Sequence, residues 1–363
     1  MAKKQYGFAI VGAGVIGKAH AATLQHIEQA KLVAVCDVIP DRAREIAKTY
    51  HCDWYTDLQE MLVNPAIDIV NVCTPSGMHG RHAIAAARAG KHVIAEKPMD
   101  VTLDMAHEMI EECKKANVKL AVISQHRFDP ATVQVKQEIE NGRFGKLLMG
   151  TGAINWYRSQ AYYDSGDWRG TWELDGGGAL MNQGIHTIDV LQYLMGPVAS
   201  VYAHCETLGH ERIEVEDAAV ATVRFRNGAI GTIVGTTCAY PGLTTRIEVF
   251  GKDGSAVIDN DALVHAVFRD EAGEVGNYGG KVAAEKSKKD ETGAADPAAI
   301  SHKGHLAQIQ DMIDALDENR EPQVNGEEAI RPLEIILAIY ESARTGELVK
   351  LPLQNTEQAK IVV

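Results

Sequence analysis

Phe8-Ala9-Ile10-Val11-Gly12-Ala13-Gly14-Val15-Ile16-Gly17 decides how the chain is read. Four apolar residues run together without the alternation of a half-solvated strand, so they read as a strand buried on both faces. Gly12, Gly14 and Gly17 follow at G-x-G-x-x-G spacing, with helix expected from about Ile16. Among 33 glycines such spacing arises by chance, and its place between strand and helix is what gives it weight. Small residues there, with the backbone of Val15 and Ile16, let the main chain approach a pyrophosphate, whose charge suits a helix N-terminus.

Outward from this loop, further apolar runs alternate with helical stretches. Leu32–Cys36, Ile67–Cys73, His92–Ala95 and Leu120–Ile123 read as four more buried strands. The pattern predicts a doubly wound α/β domain with a parallel sheet over residues 1–124. From Leu147 strands follow one another with hairpin signals, Asn227-Gly228 between two runs and Lys252-Asp253-Gly254 between two more. Residues 125–363 are therefore expected to form an α+β domain with a large, mostly antiparallel open sheet. Glu271 to Ala299, rich in Gly, Lys, Glu, Ala and Asp, reads as a loop, with helices at about Lys303–Glu318 and Gly326–Arg344.

Asp37 ends the second strand, about 25 positions after Gly12. A carboxylate there accepts from ribose hydroxyls and repels a 2′-phosphate, so NAD is favoured over NADP. Thr74 and Pro75 end the third strand at the rim where open α/β sheets bind ligands, with His79 within reach of the same pocket. His79 and His82 have no nearby Cys or carboxylate to complete a metal set, so no metal is expected. Glu96-Lys97-Pro98 ends the fourth strand. A lysine whose ammonium is destabilised by burial or cationic neighbours can take the proton of an alcohol as hydride leaves carbon.

The second cluster runs from Trp168 to Asp189. Gly176-Gly177-Gly178 breaks the chain, and Asn182, His186 and Asp189 then share one helix face. Asp189 is placed to orient His186, which can polarise or relay a hydroxyl proton. Before the glycine run, Arg127, Trp156, Tyr157, Arg158, Tyr163, Trp168 and Arg169 are the supply of guanidinium and aromatic groups that a polyol site uses. Of these, Arg127, Tyr157, Trp168 and Arg169, with Asn182 and His186, are the substrate-binding candidates. Tyr340, Lys303 and His305 are set aside.

Taken together, Glu96-Lys97-Pro98, the triple glycine, Asn182, His186, Asp189, the first glycine loop, Asp37 and Gln125-His126-Arg127-Phe128 resemble one family. It is the glucose–fructose oxidoreductase, inositol dehydrogenase and rhizopine-catabolism (Gfo/Idh/MocA) family, and the resemblance covers nearly the whole chain. It implies a Rossmann domain joined to an α/β domain whose open sheet builds homodimers or homotetramers. It also implies NAD-dependent oxidation of a ring hydroxyl on a sugar, sugar derivative or cyclitol. Lys97 is then the general acid/base and His186 its partner at the substrate, with Glu96 and Lys97 bordering the nicotinamide. Asn182 departs from the Asp of many relatives, and an amide can hydrogen-bond a hydroxyl but not take its proton. Two rivals share these residues: a redox-neutral enzyme with tightly held NAD, and a non-catalytic dinucleotide sensor.

Composition narrows the setting. A net charge of −13 over 363 residues disfavours nucleic-acid binding, which rests on neutralising phosphates. No run nears the roughly 18 apolar residues of a membrane span, and Met1 to Tyr6 offers no secretion signal. Six scattered cysteines without a C-x-x-C pair suit reduced thiols in the cytoplasm.

Overall fold

A computed structural model of the chain describes residues 4–269 and 302–353. The expected loop over 271–299 lies outside the described residues. Two compact units emerge. The first comprises Met1–Gln125, Glu173–Gly176 and the described residues of Ile300–Leu333; the second comprises His126–Trp172, the described residues of Gly177–Ala299, and those of Glu334–Val363. A single boundary at 124/125 is thus displaced by one residue, and two later segments belong with the first unit. The physical reason is coverage. Ile309, Met312 and Ile313 are buried in the same cluster as Phe8, Ile10, Val35 and Ile69, so the helix His302–Asp317 closes the first unit's core.

That core surrounds a six-stranded sheet: β1 (Tyr6–Val11), β2 (Ala30–Cys36), β3 (Asp53–Tyr55), β4 (Ile69–Val72), β5 (His92–Ala95) and β6 (Leu120–Val122). The order is β3-β2-β1-β4-β5-β6 and every pair is parallel. β1 and β4 are buried at every residue, as unbroken apolar runs require when helices cover both faces. β3 escaped the sequence reading because Asp53-Trp54-Tyr55 is a short edge strand without an apolar run. The other edge is covered: Val122 N–H donates to the Val324 carbonyl at 3.0 Å, and Ala121 bridges Asn325.

The second unit holds an eight-stranded sheet, β7 (Leu147–Asn155), β8 (Val198–Glu206), β9 (Ala218–Phe225), β10 (Ile230–Thr236), β11 (Thr245–Gly251), β12 (Gly254–Asp259), β13 (Ala262–Phe268) and β14 (Val349–Lys350). Both expected hairpins form, β9 with β10 around Asn227-Gly228 and β11 with β12 around Asp253-Gly254. The order β13-β12-β11-β7-β10-β9-β8-β14 is antiparallel except for β7 with β10. One face packs on the helix Ile185–Met195, which lies close because Gly150 and Gly152 present no side chain against Leu191, Met195 and Thr187. The opposite face follows strict alternation in β9, with Ala219, Ala221, Val223 and Phe225 inward and Val220, Thr222 and Arg224 outward.

Candidate functional site

In the first unit, Gly12 turns the chain out of β1 with φ +96, and a Cβ there would stand 2.5 Å from the Cys73 carbonyl oxygen. Gly17 lies so close to the Gly12 carbonyl that no Cβ fits. Gly14 instead caps the helix Val15–Leu24 and faces open space, with no atom within 4 Å of its would-be Cβ. A bare backbone facing space at a helix start is the setting a pyrophosphate needs. Asp37 completes it: one carboxylate oxygen accepts from Ala13 N–H at 2.7 Å and the other from Ile39 N–H at 2.8 Å. Val15 is well exposed, whereas Ile16 packs partly against the core. These residues fit a dinucleotide.

Thr74 and Pro75 leave β4 half-buried. His79, expected within reach of the cofactor pocket, is held by its neighbours. It is buried, with Nδ1 2.7 Å from the Pro98 carbonyl and Nε2 2.7 Å from the Thr74 carbonyl. Both nitrogens are spent on joining the loop after β4 to the loop after β5, so its expected contact with the cofactor is corrected to a structural one. Lys97 follows β5, in a cis peptide with Pro98. From Val93 to Val101 it is the one residue that is not buried. Behind it, the buried Glu96 carboxylate sits 2.9 Å from His20 Nε2, and its other oxygen accepts from Lys97 N–H at 3.2 Å.

The second unit presents Asn182 and His186. Between Gly177 and Gln192 these two alone are not buried, so they form the accessible face of that segment. It begins as a wide π turn over Ala179–Gly184 and continues as the helix Ile185–Met195. Glu216 fixes its start. One carboxylate oxygen accepts from Gly178 N–H (2.8 Å), the other from Leu180 N–H (2.9 Å) and the Tyr340 hydroxyl (2.9 Å). A Cβ on Gly178 would collide with the Glu216 carbonyl, which is why the chain needs glycine there. Burial pushes the Glu216 carboxyl up to about 7.

One expectation changes here. Arg127 does not present its fork to a ligand. Its Nε and Nη2 donate to Asp189 at 2.8 and 2.6 Å, both residues buried, and the guanidinium lies over Tyr193. Asp189 accordingly anchors Arg127. The neighbour of His186 is His126, edge-on at 5.0 Å between ring centroids. His126 Nδ1 lies 2.7 Å from Asp129 and 3.2 Å from Asp261. Burial opposes its charge, but Asp261 and Asp129 outweigh that and raise it to about 10. Trp168 and Arg169 do meet: the Arg169 guanidinium lies over both Trp168 and Tyr162, and Arg158 over Tyr162 and Trp156. Tyr157 packs edge-on against Tyr240.

No local pattern joins His20, His305, His126 or Glu216 to these clusters, although His126 lies in the Gln125–Phe128 motif. Only the place of His20 three residues after Gly17, one helical turn on, hinted at a common face. Among the described residues three groups have metal-ligand composition: His20, Glu96 and His305; His210, Asp217 and Cys238; His126, Asp129 and Asp261. In the second, His210 bonds Asp217 through Nδ1 and the Arg158 carbonyl through Nε2, leaving no nitrogen for an ion. No helix among the described residues is long and apolar enough to cross a membrane.

Residues 6–124 match the family described as oxidoreductase family, NAD-binding Rossmann fold, and residues 132–257 match the GFO/IDH/MocA C-terminal domain. Myo-inositol 2-dehydrogenase of Thermotoga maritima is 34% identical over 74% of this chain and 79% of its own length. D-glucoside 3-dehydrogenase of Escherichia coli is 34% identical over 61% of this chain and 67% of its own. The WlbA dehydrogenase of Bordetella pertussis, solved with NADH and UDP-GlcNAcA, is 36% identical, with a TM-score of 0.84 over 97% of this chain and 100% of that one.

The His126 cluster carries a pH signature. Its folded affinity for a proton exceeds the unfolded one, so its stabilisation is complete below about 6.5 and is lost as pH rises towards about 10. The melting-temperature advantage of the native chain over His126→Gln should therefore shrink steadily between pH 6.5 and 10. An advantage that stays constant across that window would show that no charged pair is present.

Proposed function

Because this chain belongs to the Gfo/Idh/MocA family of NAD-binding oxidoreductases, we propose that it oxidises a secondary hydroxyl of a sugar, sugar derivative or cyclitol with Lys97 as general acid/base. The observation that carries this reading is Lys97 itself, the sole accessible side chain in a buried run at the C-terminal edge of the parallel sheet. Bound NAD⁺ supplies a hydride acceptor. Lys97 Nζ takes the hydroxyl proton as hydride leaves the carbon. His186 is assigned a hydrogen bond to the reacting hydroxyl, and Asn182 one that orients without proton transfer. Trp168, Arg169 and Tyr157 are assigned to ring faces and remaining hydroxyls. Relatives acting on myo-inositol and on glucosides, and one solved with a nucleotide-linked sugar acid, support the substrate class.

We further propose that a second copy covers the outer face of the eight-stranded sheet, as a homodimer or homotetramer. Val220, Ile230, Met149 and Tyr202 are 54%, 50%, 40% and 39% exposed there and lie on one side of four adjacent strands. All six cysteines stand free, which suits the reducing cytoplasm.

The function is checked by following absorbance near 340 nm with NAD⁺ and a panel of cyclitols, free sugars, glycosides and nucleotide-linked sugars. One class should give stoichiometric NADH, and Lys97→Met should lower kcat about 10²–10⁴-fold with NAD⁺ still bound. Product formed without net NADH would instead indicate the redox-neutral enzyme, and an unchanged rate in Lys97→Met would remove the proposed base.

For the cofactor, Asp37→Ala should weaken NAD⁺ binding and narrow the preference over NADP⁺, as read by titration calorimetry. A native chain that prefers NADP⁺ would contradict the role given to Asp37.

For assembly, sedimentation should show a dimer or tetramer that Val220→Glu shifts towards monomer. A native monomer would overturn that proposal.

A further inference from the structure

Glu96 is a carboxylate that the folded chain has every electrostatic reason to avoid. It is 5% exposed, and among the described residues no Lys or Arg pairs with it. Removing an ion from water costs several kcal/mol even after relaxation. The partners present are histidines from two helices far apart in sequence. His20, on the helix Val15–Leu24, places Nε2 2.9 Å from Oε1, and His305, on the helix His302–Asp317, places Nε2 3.5 Å from the same atom. Asn71 Nδ2 on β4 lies 2.9 Å from His20 Nδ1; with that amide donating, the proton of the ring stands on Nε2 and points at the carboxylate. The remaining titratable neighbour from the sheet is the Cys73 thiol, which burial and then Glu96 push up.

The balance among these groups fixes the sign of the charge. Burial alone would raise the Glu96 carboxyl, but the hydrogen bond from His20 and the nearby His305 imidazole hold it well below the usual carboxylate range. Burial lowers His20, against the pull of Glu96. The cluster thus favours the ionised carboxylate, while burial disfavours charge on His20.

Its place in the sheet gives it a target. In the order β3-β2-β1-β4-β5-β6 the first mononucleotide half is β1 to β3, with Asp37 at its ribose position, and the second half is β4 to β6. Glu96 follows β5, in the middle of the second half, where the nicotinamide end of the cofactor belongs. That ring is cationic in NAD⁺ and neutral in NADH, so a nearby fixed charge distinguishes the two.

We propose that the His20–Glu96–His305 cluster is a buried negative centre that makes this protein bind NAD⁺ in preference to NADH, drawing the bound couple towards the oxidised form. The proposal rests on NAD occupying the first unit and not on the role given to Lys97. A unit charge at about 8 Å and an effective dielectric of about 20 is worth roughly a tenfold ratio or more, and tenfold corresponds to about 30 mV for a two-electron couple.

The test is the pair of dissociation constants for NAD⁺ and NADH, measured by titration calorimetry on the full chain. Glu96→Gln should reduce the preference for NAD⁺ about tenfold, mainly by weakening NAD⁺, while NADH binding reports that the fold and the pocket persist. Glu96→Asp keeps the charge and should keep the preference even if both affinities fall. Equal losses for both nucleotides in Glu96→Gln, or a preference lost equally in Glu96→Asp, would overturn the charge effect. Failure of the native chain to bind either nucleotide would instead overturn the cofactor assignment.

Discussion

Strands buried on both faces carry little polar chemistry along their length, Asn71 of β4 being the exception, and this constraint arranges the first unit. β1 and β4 are buried at every position, so polar groups emerge where strands stop: Asp37 after β2, Thr74 after β4, Glu96 and Lys97 after β5. All these strands are parallel, so their ends share one edge of the sheet. The glycine loop belongs to the same logic. Gly12 must let β1 end against the Cys73 carbonyl, and Gly17 must let the following helix press on that turn. What remains uncovered is the backbone at Gly14, which makes the edge a binding site rather than a packed end.

The second unit solves a related problem with a carboxylate instead of a strand edge. Its accessible pair, Asn182 and His186, stands on a segment that starts from three consecutive glycines and a wide turn, a weak start for any helix. Glu216 supplies acceptors to two of the orphaned N–H groups at that start, and Tyr340 reaches across to hold Glu216 in turn. Farther along, Arg127 and Asp189 clamp the helix with a buried two-point ion pair. The residues that present chemistry and the residues that hold them are therefore different. This explains why Arg127 read as a ligand group from composition yet serves as an anchor.

What could be read from the chain divides along the same line. The parallel sheet, both hairpins and the glycine loop are local patterns, written in apolar runs and turn residues within a few positions of each other. The places of Asp37 and Lys97 at strand ends were legible because they depend only on which apolar run they follow. The partners of Glu96 and Glu216 were not legible. His305 lies 209 positions from Glu96 by number, and Tyr340 lies 124 from Glu216, distances at which no periodicity links two side chains. β3 was missed because its pairing, rather than its composition, makes it a strand. The membership of His302–Asp317 in the first unit was missed because an amphipathic helix carries no address for the face it covers.

Three buried carboxylates show how differently the chain treats the same charge. Asp189 is neutralised by a guanidinium, so its field is cancelled close at hand and its role ends with packing. Glu216 is met by two backbone N–H groups and a phenol, and burial still pushes it up to about 7, so it spends part of its time without charge at neutral pH. Glu96 is met by imidazoles and the Lys97 N–H rather than by a guanidinium or ammonium, and its carboxyl is held well below the usual range. A field left uncancelled in a low-dielectric interior reaches farther than one at the surface. It is also the one of the three that stands at the sheet edge where the cofactor's redox-active half belongs. A carboxylate needed only to shape that loop would be better matched by an arginine or replaced by an amide; a carboxylate left charged acts on whatever binds beside it.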